Sequence, residues 1–243
     1  MRALLAQTRA ETAMTLRRGE TLLLTVGIPI VFLVFFSTVH VVTVGTPDAV
    51  TFYLPGILAL AVMSTAMVSL GIATGFERGY GVLKRLGSTP LGRQRLLGAK
   101  IAAILLVETV QAAVLVPVGV GLGWRPPGGG DAAWQALVLV LLATAAFGGI
   151  GLLLAGLLRA ELNLAASNGL YLVLLLLGGM VVPVAKLPGA LAGVSKALPA
   201  AALSSGLHAV LGTGSSVPPR SWVVLGIWAV AAPLAAAATF RWE

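Results

Sequence analysis

The chain has 243 residues, 58% hydrophobic and only 10% charged, and it contains no cysteine. A soluble domain is about a quarter charged, so no stretch is left for a separate soluble domain, and disulfide, cysteine–zinc and thiol chemistry are excluded. The formal net charge of +8 would suggest nucleic acid in a soluble protein; in a membrane protein it raises the question of which loops hold the charge, and no nucleic-acid partner is read from it.

Residues 1–20 carry Arg2, Arg9, Arg17 and Arg18 with Glu11 and Glu20, and Leu5, Thr8, Thr12 and Leu16 share one face. That pattern predicts a helix lying in the membrane interface. A signal peptide is the competing reading, but the charges extend too far in and no small-residue cleavage site follows the apolar run. Six spans of roughly 20 apolar residues are expected next, over 22–42 (with Pro29 inside), 52–74, 101–122, 134–157, 164–184 and 222–240. Gly45-Thr46-Pro47-Asp48 is a turn between the first two. Trp124, Trp134, Trp222 and Trp242 fall at span ends, where an interfacial belt would place them, and Trp228 lies inside the sixth span.

Between the second and third spans, 76–96 is the most basic part of the chain. Val82, Leu83 and Leu86 have helical spacing, and Ser88-Thr89-Pro90-Leu91 ends that helix because Pro90 pushes Thr89 out of the α region. A short amphipathic helix between two spans offers a soluble partner something to push. Leu83 and Leu86 would seat in a cleft, Lys84 and Arg85 would pair with acids around it, and Glu77, at the membrane boundary, would pair with a nearby Arg. The alternative is that Arg78, Lys84, Arg85, Arg93 and Arg95 contact anionic lipid, each worth about 1 kcal/mol near such a surface. Docking is preferred for 82–86, and lipid contact for Arg93, Arg95 and Lys100.

With the N-terminus in the cytoplasm, twelve of the sixteen basic residues face inward, against Arg125, Lys186, Lys196 and Arg220 outside. This satisfies the positive-inside rule and puts both termini in the cytoplasm. The segment 185–220 is Leu-rich, but Pro188, Lys196 and Pro199 divide it into pieces of roughly ten residues, too short to cross. A re-entrant or interfacial pair of short helices on the outer face is expected.

Glu108 is the one carboxylate inside a span, at a cost of about 2.5–3.5 kcal/mol at the bilayer centre, and Gln111 lies three residues on. They are either a substrate contact or polar hinge in a translocation path, or Glu108 is protonated or hydrogen-bonded at a helix–helix contact. His40 and His208 belong near the outer face as interfacial residues. Gly148-Gly149-Ile150-Gly151 and Gly178-Gly179 suit close helix packing, and Asn163 and Asn168 suit capping or packing. A phosphate-cradling G-x-x-x-x-G-K-[ST] pattern is missing, so energy must come from a partner or an ion gradient. An intramembrane enzyme lacks a nucleophile or metal constellation, and an ion-driven carrier would show inverted repeats or more intramembrane charge.

Three stretches together resemble a known family: LRRGETLLLTVGIPIVFLVFF (16–36), FERGYGVLKRLGSTPLGRQRLLGAK (76–100) and the Gly-, Pro- and Ala-rich run over 178–211. In order and spacing the chain is similar to the membrane subunits of type-2 ABC exporters, including daunorubicin-resistance-like permeases. The resemblance implies one all-α permease domain over 1–243, multi-pass in a bacterial plasma membrane. It further implies that a second permease subunit, identical or not, pairs with it in the lipid bilayer. Two ABC ATPase subunits, which bind ATP and Mg, would engage the coupling region at Glu77, Arg78, Val82, Leu83, Lys84, Arg85 and Leu86. Export of drugs, antibiotics or lipid- and glycan-like amphiphiles would follow. Ala200-Ala201-Ala202 departs from the bulkier residues relatives often carry there.

Overall fold

The computed structural model describes residues 19–39, 49–87, 93–181 and 183–239. Most of the helix expected over 1–20 lies outside this range, as do His40, the turn at 45–48, the stop at 88–91 and Trp242. Every regular element among the described residues is helical. In chain order these are α1 (Gly19–Thr38), α2 (Ala49–Gly79), α3 (Val82–Gly87), α4 (Arg93–Gly121), α5 (Gly130–Leu157), α6 (Ala160–Leu177), α7 (Gly189–Ser195), α8 (Pro199–Leu207) and α9 (Pro219–Thr239). Within α2, Ser64–Ser69 forms a wide π-turn, and a second one, His208–Thr213, prolongs α8.

Among the described residues five helices are long and apolar enough to cross a bilayer: α2, the Gly98–Gly121 part of α4, α5, α6 and α9. The helix expected as the first span, α1, is 20 residues long, and its Thr25–Thr38 part is apolar. Consecutive long helices run antiparallel. Phe36 near the end of α1 stacks on Tyr53 near the start of α2, with centroids 5.3 Å apart. Glu77 at the end of α2 meets Lys100 early in α4 at 2.7 Å. The fifth span was expected to reach residue 184, but α6 stops at Leu177, where Gly178 and Gly179 follow. Gly179 has φ +69°, a left-handed conformation that glycine adopts without a Cβ clash.

α5 is the central helix and packs most extensively on α9 and α2. Its glycines allow this. A Cβ on Gly151 would lie 2.5 Å from the Met67 carbonyl oxygen, one on Gly71 would lie 2.9 Å from the Gly151 carbonyl oxygen, and one on Gly149 would meet Pro233. Apolar tails surround a membrane bundle, so close van der Waals packing of small residues replaces the hydrophobic driving force. The short helices α7 and α8 lie at the end of the bundle remote from α3. Pro199 opens α8 at a position where its missing N–H costs nothing. Ala200, Ala201 and Ala202 are buried, and a Cβ on Gly178 would already be 3.1 Å from that of Ala200. Bulkier residues would not fit, which accounts for the alanine run.

Candidate functional site: a tied end and a polar chain through the spans

Gly81, at φ +70°, turns the chain from α2 into α3 with a backbone that a side chain would strain. Two residues on, Leu83 is fully buried, while Tyr80 is 75% and Val82 39% exposed. Lys84 is exposed as well. Leu83, expected to seat in a partner, therefore points into its own subunit. Tyr80, which sequence reasoning passed over, joins Val82 and Lys84 on the outer surface. Arg85 and Leu86 belong to α3, and their side chains lie outside the described structure.

The last three turns of α2 tie four helices together. The Glu77 carboxylate pairs with Lys100, which is only 3% exposed. This corrects two expectations: Glu77 pairs with a lysine rather than an arginine, and Lys100 does not reach for lipid. Helix α4 begins well before the apolar run, so Lys100 falls on a packed face, where a buried charge is paired with an opposite one. Arg78 donates to the carbonyls of Gly156 and, at 2.6 Å, Leu158. These belong to the C-terminal end of α5, whose carbonyls lack partners within the helix and carry the negative pole of its dipole. Asn163 at the start of α6 is fully buried and donates to the Gly71 carbonyl at 2.8 Å. Gly75 makes room for it, since a Cβ there would lie 2.5 Å from the Asn163 amide nitrogen.

Deeper in the spans, Gln111 and Glu108 are 2% and 5% exposed. Pro29 has no N–H, so the Thr25 carbonyl one turn earlier loses its helical donor. The Gln111 amide supplies one at 2.9 Å, and its oxygen accepts from Thr65 of the π-turn at 3.2 Å. Thr144 of α5 lies 2.6 Å from Glu108 Oε2 and 2.8 Å from the Val140 carbonyl. A hydroxyl has one proton to give, so both contacts are complete when Glu108 is in its acid form and donates to Thr144. Polar contacts thus link α1, α2, α4 and α5 at helix–helix junctions.

Two tryptophans differ from the belt pattern. Trp124 is buried and donates from Nε1 to the Leu211 carbonyl at 2.9 Å. Trp228, the outlier inside α9, donates to the Ala197 carbonyl between α7 and α8 at 3.0 Å. His208 packs its ring on Phe52 and bonds the Ser204 carbonyl at 2.7 Å, so it is an internal strut rather than an interfacial residue. No cluster that could hold a metal occurs among the described residues.

Residues 2–211 match the ABC-2 type transporter family. The chain belongs to that family. It is also 26% identical over 226 residues, 88% of each chain, to YvfS of Bacillus subtilis (strain 168), which carries the name of a transport permease. It is thus the membrane subunit of an ABC transporter, a multi-pass protein of the cell membrane that associates with an ABC ATPase, and not itself an enzyme. Membership in the ABC-2 family gives the tied end of α2 its context.

Proposed function

We propose that this subunit drives ATP-powered export of amphiphilic compounds, paired with a second permease subunit and two ATPase subunits that bind ATP and Mg. The observation that carries the reading is the placement of α3. It projects from the end of α2, where polar contacts over 71–78 join α2 to α4, α5 and α6. A push on Tyr80, Val82 and Lys84 passes through Gly81 into the end of α2. From there Glu77 conveys it to α4 and Arg78 to α5. This end is then the cytoplasmic one, and the α7–α8 hairpin is the outer one. The scarcity of polar side chains in the spans favours drugs, antibiotics or lipid- and glycan-like amphiphiles as cargo.

The chain has no cysteine, so a single cysteine at Val82 gives a clean test. Co-expressed with a single-cysteine ATPase partner, it should form a crosslink whose yield changes with ATP. Reaction of that cysteine with an impermeant maleimide added outside intact cells would reverse the orientation. In inverted vesicles the assembled complex should accumulate an amphiphilic dye only when ATP is supplied, and accumulation without ATP would defeat the ATP-driven reading.

A further inference from the structure

A cavity of about 490 Å³ lies between α4 and α5, with α2 behind it and the π-turn after α8 along one side. Sites for small molecules span roughly 300–1,000 Å³. It extends from Glu108 to Trp124, and α4 alone covers about 20 Å between Glu108 and Gly121 at 1.5 Å per residue. The walls are almost wholly apolar. Leu137 and Leu141 line it and are 49% and 42% exposed, so it opens onto the apolar flank of the bundle, and the exposed loop residues Pro126, Pro127 and Gly129 border its far end.

At its inner limit Glu108 has one oxygen held by Thr144 and the other, Oε1, buried with no hydrogen-bond partner. Leaving a buried acceptor unserved is unfavourable, and a ligand with a donor relieves it. A lipid acyl chain fills the apolar shaft and leaves Oε1 unserved. An apolar body ending in an N–H group satisfies both. We propose that this cavity, inside a single subunit, binds a lipophilic amine that enters from the bilayer and anchors on Glu108. A neutral amine takes the Glu108 proton on arrival, giving an ammonium–carboxylate pair, so the occupied site keeps the net charge of the empty one. Reading the bound amine as cargo rests on the export proposal; binding itself does not.

The test uses the full chain in lipid nanodiscs without an ATPase, and a dodecylamine carrying a photoactivatable diazirine on its chain. Adducts mapped by mass spectrometry should fall on the 137–141 wall. Glu108→Gln, which keeps the shape and the Thr144 contact, should reduce them at least tenfold, and Ala136→Phe, which fills the shaft, should abolish them. The trimethylammonium analogue, a cation with no N–H, should label the wall no better than the amine labels Glu108→Gln. Equal labelling by both probes would leave only a lipid-tail groove and overturn the proposal. So would undiminished labelling in Ala136→Phe, or a wall shielded by a second copy of the chain. Because no ATPase is present, failure here leaves the export reading standing, and failure of the ATPase crosslink leaves this site standing.

Discussion

The two ends of the bundle are held together by different chemistry. Around α3 the bonds are charged or buried and join separate spans: Glu77 to Lys100, Arg78 to the end of α5, Asn163 to Gly71. At the far end the buried or partly buried donors are neutral and reach backbone carbonyls, Trp124 to Leu211 and Ser204 to Gly179, while Trp228 and the charged Arg220 bond the Ala197 and Lys196 carbonyls at exposed positions. There, small residues carry the packing. Charge-assisted bonds are about twice as strong as neutral ones, and neutral side-chain bonds in membranes average only about 0.6 kcal/mol. If α3 takes up a push as proposed, its end of the bundle moves as one block and the hairpin end yields.

Four substitutions sharpen or break this contrast. Glu77→Ala takes the carboxylate away from the buried Lys100 ammonium, and breaking a buried ion pair from one side costs about 3–5 kcal/mol. It should give the largest fall in thermal stability in detergent, largely recovered in the double variant with Lys100→Met. A double variant as unstable as the single one would remove the ion pair from the account. Arg78→Ala removes charged bonds worth about 1.5–3 kcal/mol, and should speed amide exchange around 156–163 without touching α8. Gln111→Leu removes the donor to the Thr25 carbonyl beside Pro29 and the acceptor of the Thr65 hydroxyl, costing about 1–3 kcal/mol, and should loosen α1 and the Ser64–Ser69 turn; the companion variant Pro29→Ala, which restores the helical donor, should reverse the α1 part of the loss. Trp124→Phe deletes one neutral bond, about 1 kcal/mol, with exchange rising only in the His208–Thr213 turn. If it destabilises as much as Glu77→Ala, the two ends are not different in kind.

Much of this architecture is legible in the sequence, because a span needs only an apolar run of bilayer length. Pro29, the glycines of 148–151 and the prolines of the 185–220 hairpin announce their roles through backbone chemistry. Side chains that act across helices are less legible. Lys100 reads as a lipid contact until α4 is seen to start at Arg93 and bring it against Glu77, 23 positions away. Leu83 looks like the apolar face of a docking helix because a six-residue helix has too few positions to show which face is inward. Trp124 looks interfacial by its place at a span end, and only the path of the α8 π-turn gives its N–H a buried carbonyl. Gln111 and Pro29 are each visible alone, but the link between them requires α1 and α4 to be neighbours.

The wide turn at Ser64–Ser69 has a geometric consequence for α2. A π-turn carries one residue more than the α-helix around it, and one residue is about 100° of rotation. The half that bears Tyr53 and the half that bears Glu77 and Arg78 are therefore indexed to each other like two cams keyed on one shaft. Their relative angle is set by how many residues lie between them and by no single side chain. Adding or removing one residue between 64 and 69 would leave every contact partner present in the sequence and turn one set of them away from the other.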